Sequence, residues 1–237
     1  MNKKITALLL MLSITLSLQS AYKTNQYMQV VDVKGKVKIS SQKAIVKPAS
    51  NGDFIFTKDN ISTEKNSSLT SYLESNNIFK VKENSSLNIN ESYDKTGNTK
   101  LYLDRGNFLI AAFSNIKPDS IIVSTSNASI KVSGAAAVSY ENGNTKVKFI
   151  YGDGEVNGKK VNQFMEADID NSNKLLVKNI ELNYDLTNTI NEISSMPYIE
   201  TVVPNMININ DIKDYAYTKN DAIENRTTFI ITNEINK

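Results

Sequence analysis

Apolar and polar residues alternate along most of this chain from about residue 27 onward. The alternation comes in short runs separated by clusters of Gly, Asn, Asp, Ser or Lys, which is the pattern of half-buried β-strands joined by turns. Leu69, Ser71 and Leu73, for example, share one face of such a run. Because the runs recur about every ten residues, the pattern predicts an all-β fold, either an antiparallel-rich β-sandwich or a short β-solenoid.

Four segments in the middle of the chain carry more specific predictions. Residues Phe108 to Phe113 are apolar on both faces, which favours a central strand, and Asp104 to Asn107 before them predicts a turn. The Asn142-Gly143 pair favours a tight hairpin turn between two strands. Tyr151 to Gly154 is rich in glycine but precedes no helix that would bind phosphate, so it predicts a further hairpin turn.

The four-residue word Asn-Ser-Ser-Leu occurs twice, at Asn66 to Leu69 and at Asn84 to Leu87. In a chain this rich in Asn and Ser, one such repeat is expected by chance about as often as not. Both copies nevertheless stand at the same place relative to a following predicted strand. This shared position favours a repetitive β-structure.

Helical periodicity is nearly absent until residue 185, where it predicts a helix over residues 185–196. Asp185 is the predicted N-cap of this helix, and Pro197 closes it. Strands are predicted around the helix over residues 175–182, 199–203 and 227–232. Residues 158–237 are therefore predicted to form a C-terminal extension of strands and one short helix, either a small appendage or a partly ordered tail.

The start of the chain has the layout of an export signal. Lys3 and Lys4 are followed by an apolar stretch from Ile5 to Leu18 and then by small residues. The stretch is shorter than the roughly 20 residues that span a bilayer. We therefore predict that residues 1–20 are a cleaved signal peptide and that no transmembrane span remains, with retention as an uncleaved anchor as the alternative. The expected location is the periplasm or the outside of the cell.

The predicted mature chain is formally neutral. Loss of Lys3 and Lys4 with the signal leaves 25 of the 27 basic residues against 25 acidic ones. A neutral protein has no overall electrostatic attraction to nucleic acid, so no nucleic-acid partner is expected. The roughly 217 remaining residues are enough to form a hydrophobic core without disulfides.

The chain contains no His and no Cys. Their absence excludes Ser-His-Asp and Cys-His catalysis, thiolate nucleophiles, and the usual nitrogen and sulfur ligands of zinc, copper and non-haem iron. The acidic residues Asp104, Asp153 and Glu155 are interpreted as solvated turn carboxylates rather than as a glycosidase pair. No catalytic, cofactor-binding or metal-binding residue is predicted, no cofactor is expected, and the binding residues stay unassigned.

Two further patterns are given structural interpretations. Asp168 to Ser172 imitates the start of a calcium loop, but Asn173 and Asn179 replace the glycine and the glutamate that such a loop requires, so an acidic turn is predicted. The aromatic residues of the strand region are expected mainly in the core, with a carbohydrate-stacking face as the alternative. They are Tyr72, Tyr102, Phe108, Phe113, Tyr140 and Tyr151.

Five segments of the strand region form an ordered set of strands and glycine-containing turns. They are Asp59 to Thr63, Asn84 to Ile89, Leu101 to Gly106, Ile122 to Val138, and Thr145 to Val156. This set resembles the FecR domain over about residues 30–157. Two departures accompany the resemblance: Lys58 stands where members usually have glycine, and Ser133 and Ala135 stand where they have arginine and threonine on either side of a glycine.

The resemblance implies an extracytoplasmic, non-enzymatic domain, known best as the periplasmic part of regulators that pass a signal from an outer-membrane receptor to a sigma factor. Such regulators have a cytoplasmic segment and a membrane helix before the domain, whereas here it follows the export signal almost directly. A free-standing exported protein is therefore expected. Its predicted parts are the signal peptide 1–20, the FecR-like β domain 27–157 and the C-terminal extension 158–237.

Three hypotheses for function follow from these predictions. The favoured one is a non-enzymatic module that binds an envelope protein or an extracellular polymer, in sensing or in attachment. The alternative is a structural surface protein that self-associates. A carboxylate-based glycan hydrolase or lyase is the third and least favoured hypothesis.

Overall fold

The computed structural model describes residues 27–73, 77–91, 98–112, 121–181 and 183–197. These residues form fifteen β-strands and one helix, α1 (Tyr184–Ser194). The all-β prediction with a small C-terminal helix is confirmed, while the strands predicted over 199–203 and 227–232 lie outside the described residues. The strands are β1 (Met28–Lys34), β2 (Val37–Ser40), β3 (Val46–Pro48), β4 (Phe54–Ile55), β5 (Asn60–Thr63), β6 (Ser68–Leu73), β7 (Asn77–Val81), β8 (Ser86–Glu91), β9 (Thr99–Ala112), β10 (Ile121–Ser124), β11 (Ser129–Glu141), β12 (Asn144–Val156), β13 (Lys159–Val161), β14 (Met165–Ile169) and β15 (Leu175–Asn179).

All fifteen strands belong to one hydrogen-bonded sheet, whose main path runs β15-β14-β12-β11-β10-β9-β7-β6-β1-β4. Within the described residues every pairing is antiparallel except the one between β9 and β10. The coils of a β-helix stack their strands in parallel. The antiparallel pattern therefore favours the sandwich-type architecture over the solenoid.

The long strand β9 takes part in two halves of this sheet. Its first residues, up to Arg105, pair with β8 and β10, whereas residues 106–112 pair with β7 and β11. The change of partners falls at Gly106, whose φ is +95°. The turn predicted over Asp104 to Asn107 is wrong, because a glycine lets the strand bend there without ending it.

The two halves contribute to one hydrophobic core. One half contains β2, β5, β8, the first part of β9, β10, and the part of β11 that pairs with β10, and we call it the open half. It supplies Ile39, Ile61 and Leu87 to the core. The other half contains β6, β7, residues 106–112 of β9, and the part of β11 that pairs with them, and we call it the helix-side half. It supplies Leu69 and Phe79 to the same cluster. Since side chains alternate along each strand, the polar residues between these positions point away from the core.

Helix α1 packs on the outer face of the helix-side half. Its buried residues Leu186, Ile190 and Ile193 belong to a second apolar cluster together with Leu109 and Ile150 of the sheet. This explains why β9 is apolar on both faces after residue 107, as the sequence predicts for a central strand. Residues after 157 thus continue the same sheet through β13 to β15 and then cover it. Among the residues described, no helix is long and apolar enough to cross a membrane.

The helix begins at Tyr184, one residue before the predicted start. Asn183 is its N-cap, with an extended backbone and a side-chain oxygen that accepts a hydrogen bond from Leu186 N at 3.0 Å. The prediction of Asp185 as N-cap is therefore wrong. Asp185 lies instead in the first turn, where its negative charge is favourable to the helix dipole and its carboxylate pairs with Lys148.

The two predicted hairpin turns have opposite outcomes. The turn at Asn142-Gly143 is confirmed, since both residues have positive φ (51° and 80°) and join β11 directly to β12. The turn predicted over Tyr151 to Gly154 is wrong, because these residues lie inside β12. There Gly134 and Gly152 face each other with φ of +133° and +69°, next to a shift in the β11–β12 register. The shift leaves Ile150 of β12 without a partner on β11, and the two glycines lie beside this bulge.

The repeated word Asn-Ser-Ser-Leu forms the same turn twice. Asn66 and Asn84 both adopt the left-handed conformation, with φ of 56° and 54°. The serine that follows each of them is buried, and its Oγ accepts a backbone N–H: from Lys36 at 2.8 Å for Ser67, and from Asn107 at 2.9 Å for Ser85. The two copies are thus structurally equivalent.

Ser85→Ala should lower the free energy of unfolding by about 1–3 kcal/mol, because it leaves a partly buried N–H of Asn107 without an acceptor in the middle of the fold. Urea denaturation of the two proteins measures this difference. The matched control is Ser68→Ala, at the second serine of the other copy, which is half-buried and makes no side-chain hydrogen bond within the described residues; it should stay within about 0.5 kcal/mol. Equal effects of the two substitutions would contradict the assigned role of Ser85.

Candidate binding surfaces

Of the three acidic residues considered for catalysis, Asp104 lies apart from the other two. Asp104 lies on β9 and Glu155 on β12, with β10 and β11 between those strands in the open half. Three strand spacings correspond to roughly 14 Å, beyond the separation of a glycosidase pair. Asp153 is paired with Lys160 at 3.0 Å. Asp153 and Glu155 do share one face of β12, about 7 Å apart. They lie side by side on one strand rather than across a cleft, and Glu155 stands opposite Lys131, so they do not form the carboxylate pair that a glycosidase mechanism needs.

The calcium-like segment forms the predicted turn. Asp170 Oδ1 accepts backbone hydrogen bonds from Ser172 at 2.8 Å and from Lys174 at 2.9 Å, so its carboxylate caps the turn between β14 and β15. The described part of the chain contains no cluster of three or more acidic residues placed to hold a metal ion.

The aromatic residues divide between the core and one outer face. Phe108 is fully buried in the main core, Tyr140 packs against that core, and Tyr72 and Tyr151 pack against the cluster under α1. Tyr102 is the exception. It alternates with the buried Leu101 and Leu103 on β9 and is half-exposed on the outer face of the open half. Phe113 lies outside the described residues.

The first candidate surface is a cavity of about 200 Å³ between α1 and the helix-side half. Its polar lining includes Lys82, Lys146 and Lys148 from the sheet and Asp185 and Thr189 from the helix. The volume is below the roughly 300 Å³ at which sites for small-molecule ligands begin. The cavity therefore offers little room for an organic ligand.

The lysines beside this cavity are already paired. Lys82 Nζ lies 2.5 Å from Glu192 Oε2 of the helix, and Lys148 forms an ion pair with Asp185. The buried carboxylate of Glu166 lies within 4 Å of Lys146 and Lys148. Because each cation has a carboxylate partner, the cavity is the polar part of the interface between α1 and the sheet.

This interface between α1 and the sheet should weaken in acid. The hydrogen bond from Lys148 holds the pKa of Asp185 below its ordinary value of 3.8. A depressed pKa in the folded state stabilises the fold above the unfolded-state pKa, and that contribution is lost as the pH falls through the folded value. Asp185→Asn should therefore lower Tm near pH 7 and become equivalent to the parent protein well below pH 3.8.

Thermal unfolding at a series of pH values from 7 to about 2.5 measures this dependence, with Glu141→Gln, at an exposed carboxylate, as the control. The control should follow the parent protein at every pH. An offset between Asp185→Asn and the parent protein that does not change with pH would contradict the assigned ion pair.

The second candidate surface is a row of uncharged polar residues on the outer face of the open half. Each member pairs with the next across neighbouring strands, and all six are half-buried or exposed. We call this surface the neutral row. It consists of Ser40 on β2, Asn60 on β5, Asn88 on β8, Tyr102 on β9, Ser124 on β10 and Ser129 on β11.

Lysines next to the neutral row face carboxylates. Lys100, two residues from Tyr102 on the same face, forms an ion pair with Glu91 at 2.6 Å. Lys131 stands opposite Glu155 in the β11–β12 pairing. The lysines beside the row are therefore opposed by carboxylates, and the exposed Asp104, two residues from Tyr102 on β9, adds a negative charge.

The polar groups of the neutral row are partly oriented by the protein. Asn60 Nδ2 donates to Ser86 Oγ at 3.1 Å and to Asn88 Oδ1 at 3.0 Å. Within the described ranges, no protein group accepts from the Asn88 NH₂ group or bonds to the Tyr102 hydroxyl. Half-exposed groups of this kind can exchange hydrogen bonds with an external partner.

Residues 59–157 match the family model described as FecR protein. This region of the chain is similar to the FecR domain. The match begins one residue before β5 and ends one residue after β12, so the matched region contains five of the six neutral-row residues, all but Ser40. The resemblance inferred from the strand and turn segments is confirmed over this range.

Similar solved structures include two crystal structures of a candidate anti-sigma factor from Parabacteroides distasonis. They are 17% and 16% identical to this chain, with TM-scores of 0.46 and 0.47. Each comparison covers 54% of this chain, and 63% and 62% of the other chain. The chain thus matches less than two thirds of those proteins. No curated protein sequence matches it.

Sequence inspection missed the neutral row as a unit. Each member is only the outward-facing polar position of a separate strand, separated from the next by 5 to 28 residues along the chain. The single signal was Tyr102, an aromatic residue between two apolar ones. Only the pairing of six strands places these residues side by side.

Proposed function

We propose that this protein is an exported, non-enzymatic FecR-like module that acts by binding a component of the bacterial envelope, in sensing or in attachment. The observation that carries the proposal is the position of the neutral row: it lies almost entirely within the FecR-like region and on a sheet face opposite the core. The layout of residues 1–20 as an export signal supports a periplasmic or extracellular location.

The arrangement of ionisable groups supports a non-enzymatic role. Acidic residues of the described chain stand apart, cap turns or pair with lysines, as Asp153, Asp170 and Glu166 do. A general acid or nucleophile requires a partner group held at a defined distance in a cleft. A binding function requires only an accessible surface of suitable chemistry, which the open half provides.

The proposal is tested by fractionating cells that express the tagged protein and by mixing the purified, processed protein with isolated envelopes. The mature protein should start near residue 21 and should sediment with the envelopes in a saturable way. Crosslinking followed by mass spectrometry then identifies what lies next to it. Recovery in the cytoplasm with residues 1–20 intact, or no saturable envelope binding, would refute the proposal.

Self-association as a structural surface protein is a second candidate, favoured by one edge of the sheet. Strand β15 pairs only with β14 among the described strands, and its Leu176 is 54% exposed. An open edge with an apolar side chain can pair with another chain. The edge strand β3 differs, because Pro48 has no N–H to donate.

Size-exclusion chromatography with light scattering over a wide concentration range separates the two candidates. Self-association should increase the measured mass with concentration, and Leu176→Lys should abolish that increase. A constant monomer mass would remove this second candidate and leave the envelope-binding proposal intact.

A further inference from the structure

We infer that the neutral row binds an uncharged glycan chain that lies across the strands of the open half. This inference rests on the proposed function and names its ligand class. Tyr102, at the centre of the row, would stack on a sugar ring, while Asn88 and Ser124, its paired neighbours on either side, would exchange hydrogen bonds with sugar hydroxyls.

The chemistry of the row fits a hydroxyl-rich ligand. A sugar hydroxyl both donates and accepts hydrogen bonds, and so do the amide and hydroxyl groups of this surface. The hydrogen bond from Asn60 to Asn88 Oδ1 uses the acceptor of Asn88 and leaves its NH₂ group as a donor. The centre of a protein-binding interface usually has several large apolar or arginine anchors, whereas the row offers a single aromatic ring.

The charges beside the neutral row favour a neutral glycan over an acidic one as the ligand. An anionic polymer would need cations without carboxylate partners along its path. Lys100 is instead paired with Glu91 at 2.6 Å, and Lys38 lies 3.6 Å from Glu64. The row therefore has no strong attraction for carboxylate or phosphate groups, and an uncharged chain loses no electrostatic energy by binding there.

The length of the row favours a chain over a single sugar. The six residues cross five strand spacings, which corresponds to roughly 24 Å at about 4.8 Å per spacing. A ligand that follows the row contacts groups from several strands at once. Affinity should therefore rise steeply from a monosaccharide to a hexasaccharide.

The test is direct titration of the purified mature protein with neutral hexasaccharides of glucose and of N-acetylglucosamine, followed by calorimetry and by backbone NMR shifts. At least one neutral hexasaccharide should bind, with the largest shifts at Asn60, Asn88, Tyr102 and Ser124. Tyr102→Ala and Asn88→Ala should each weaken binding about tenfold or more. The matched controls are Tyr184→Ala, at a tyrosine that is 81% exposed on α1, and Asn171→Ala, at an exposed turn; both should bind like the parent protein.

Several results would overturn the inference. These are the absence of binding to any neutral hexasaccharide, unchanged binding after Tyr102→Ala, or tighter binding of an acidic hexasaccharide of uronic acid. Loss of binding must occur with an unchanged Tm, which the half-exposed position of Tyr102 should allow. Saturable envelope binding without any glycan binding would overturn this inference alone, whereas failure of the envelope assay would refute the proposed function.

Discussion

Gly134→Ala should lower the free energy of unfolding by about 3 kcal/mol or more. Gly134 has φ of +133°, and a Cβ there would lie 2.1 Å from the carbonyl oxygen of Tyr151. The residue stands in β11 between β9 and β12, beside the bulge and opposite Gly152. Neither strand can move away without breaking its hydrogen bonds to the next strand.

The matched control for this substitution is Gly158→Ala. Gly158 also has positive φ, +78°, but a Cβ there would meet no atom within 4 Å. It should therefore show only the backbone strain, about 1–2 kcal/mol. Urea denaturation of both variants and the parent protein measures the difference. If Gly134→Ala is no more destabilising than Gly158→Ala, the close approach of β11 and β12 at this bulge is not as described.

Phe108→Ala should lower the free energy of unfolding, measured by urea denaturation, by about 3–5 kcal/mol, because it leaves a large cavity in the main core. The Phe108 side chain is fully buried, and its ring centroid lies 5.4 Å from that of Phe79. It lies two residues after Gly106, where β9 bends and passes into the helix-side half. Loss of this ring should therefore weaken the packing of the helix-side half and, with it, the packing of α1 on the sheet.

Phe54→Ala is the control for this second prediction. Phe54 is 43% exposed on the edge strand β4, and its ring contacts Tyr27 edge-on at 4.6 Å. Its replacement should cost only about 1 kcal/mol. A Phe108 variant that is as stable as the Phe54 variant would show that the core around β9 can close the gap, contrary to the packing described.

The alternation of apolar and polar residues was sufficient to predict most strands of the FecR-like region, because each strand buries one face. Positions such as Leu87 and Ile89 are fully buried, as their spacing predicts. The hairpin at Asn142-Gly143 was equally predictable, since positive φ at two successive positions strongly restricts the residue types. The same local argument failed for the glycines at 106 and 152.

Those two glycines show why the failures occurred. In a sequence, a glycine that ends a strand is indistinguishable from one that bends it or forms a bulge, because both need the same φ. Gly106 and Gly152 are in strand interiors only because β7, β8 and β11 hold the flanking residues in pairs. The cap of α1 was missed for a similar reason, as Asn183 and Asp185 are both common N-cap residues.

The sequence by itself determined the all-β class, the short helix near residue 185, the FecR resemblance and the absence of His and Cys chemistry, because these depend on local periodicity and on composition. The tertiary structure alone decided which residues meet. It made the two Asn-Ser-Ser-Leu copies into equivalent turns by bringing each buried serine to the backbone of a distant strand. It also aligned Asn60, Asn88 and Tyr102 into one surface, since strand register, which long-range pairing fixes, determines side-by-side neighbours in a sheet.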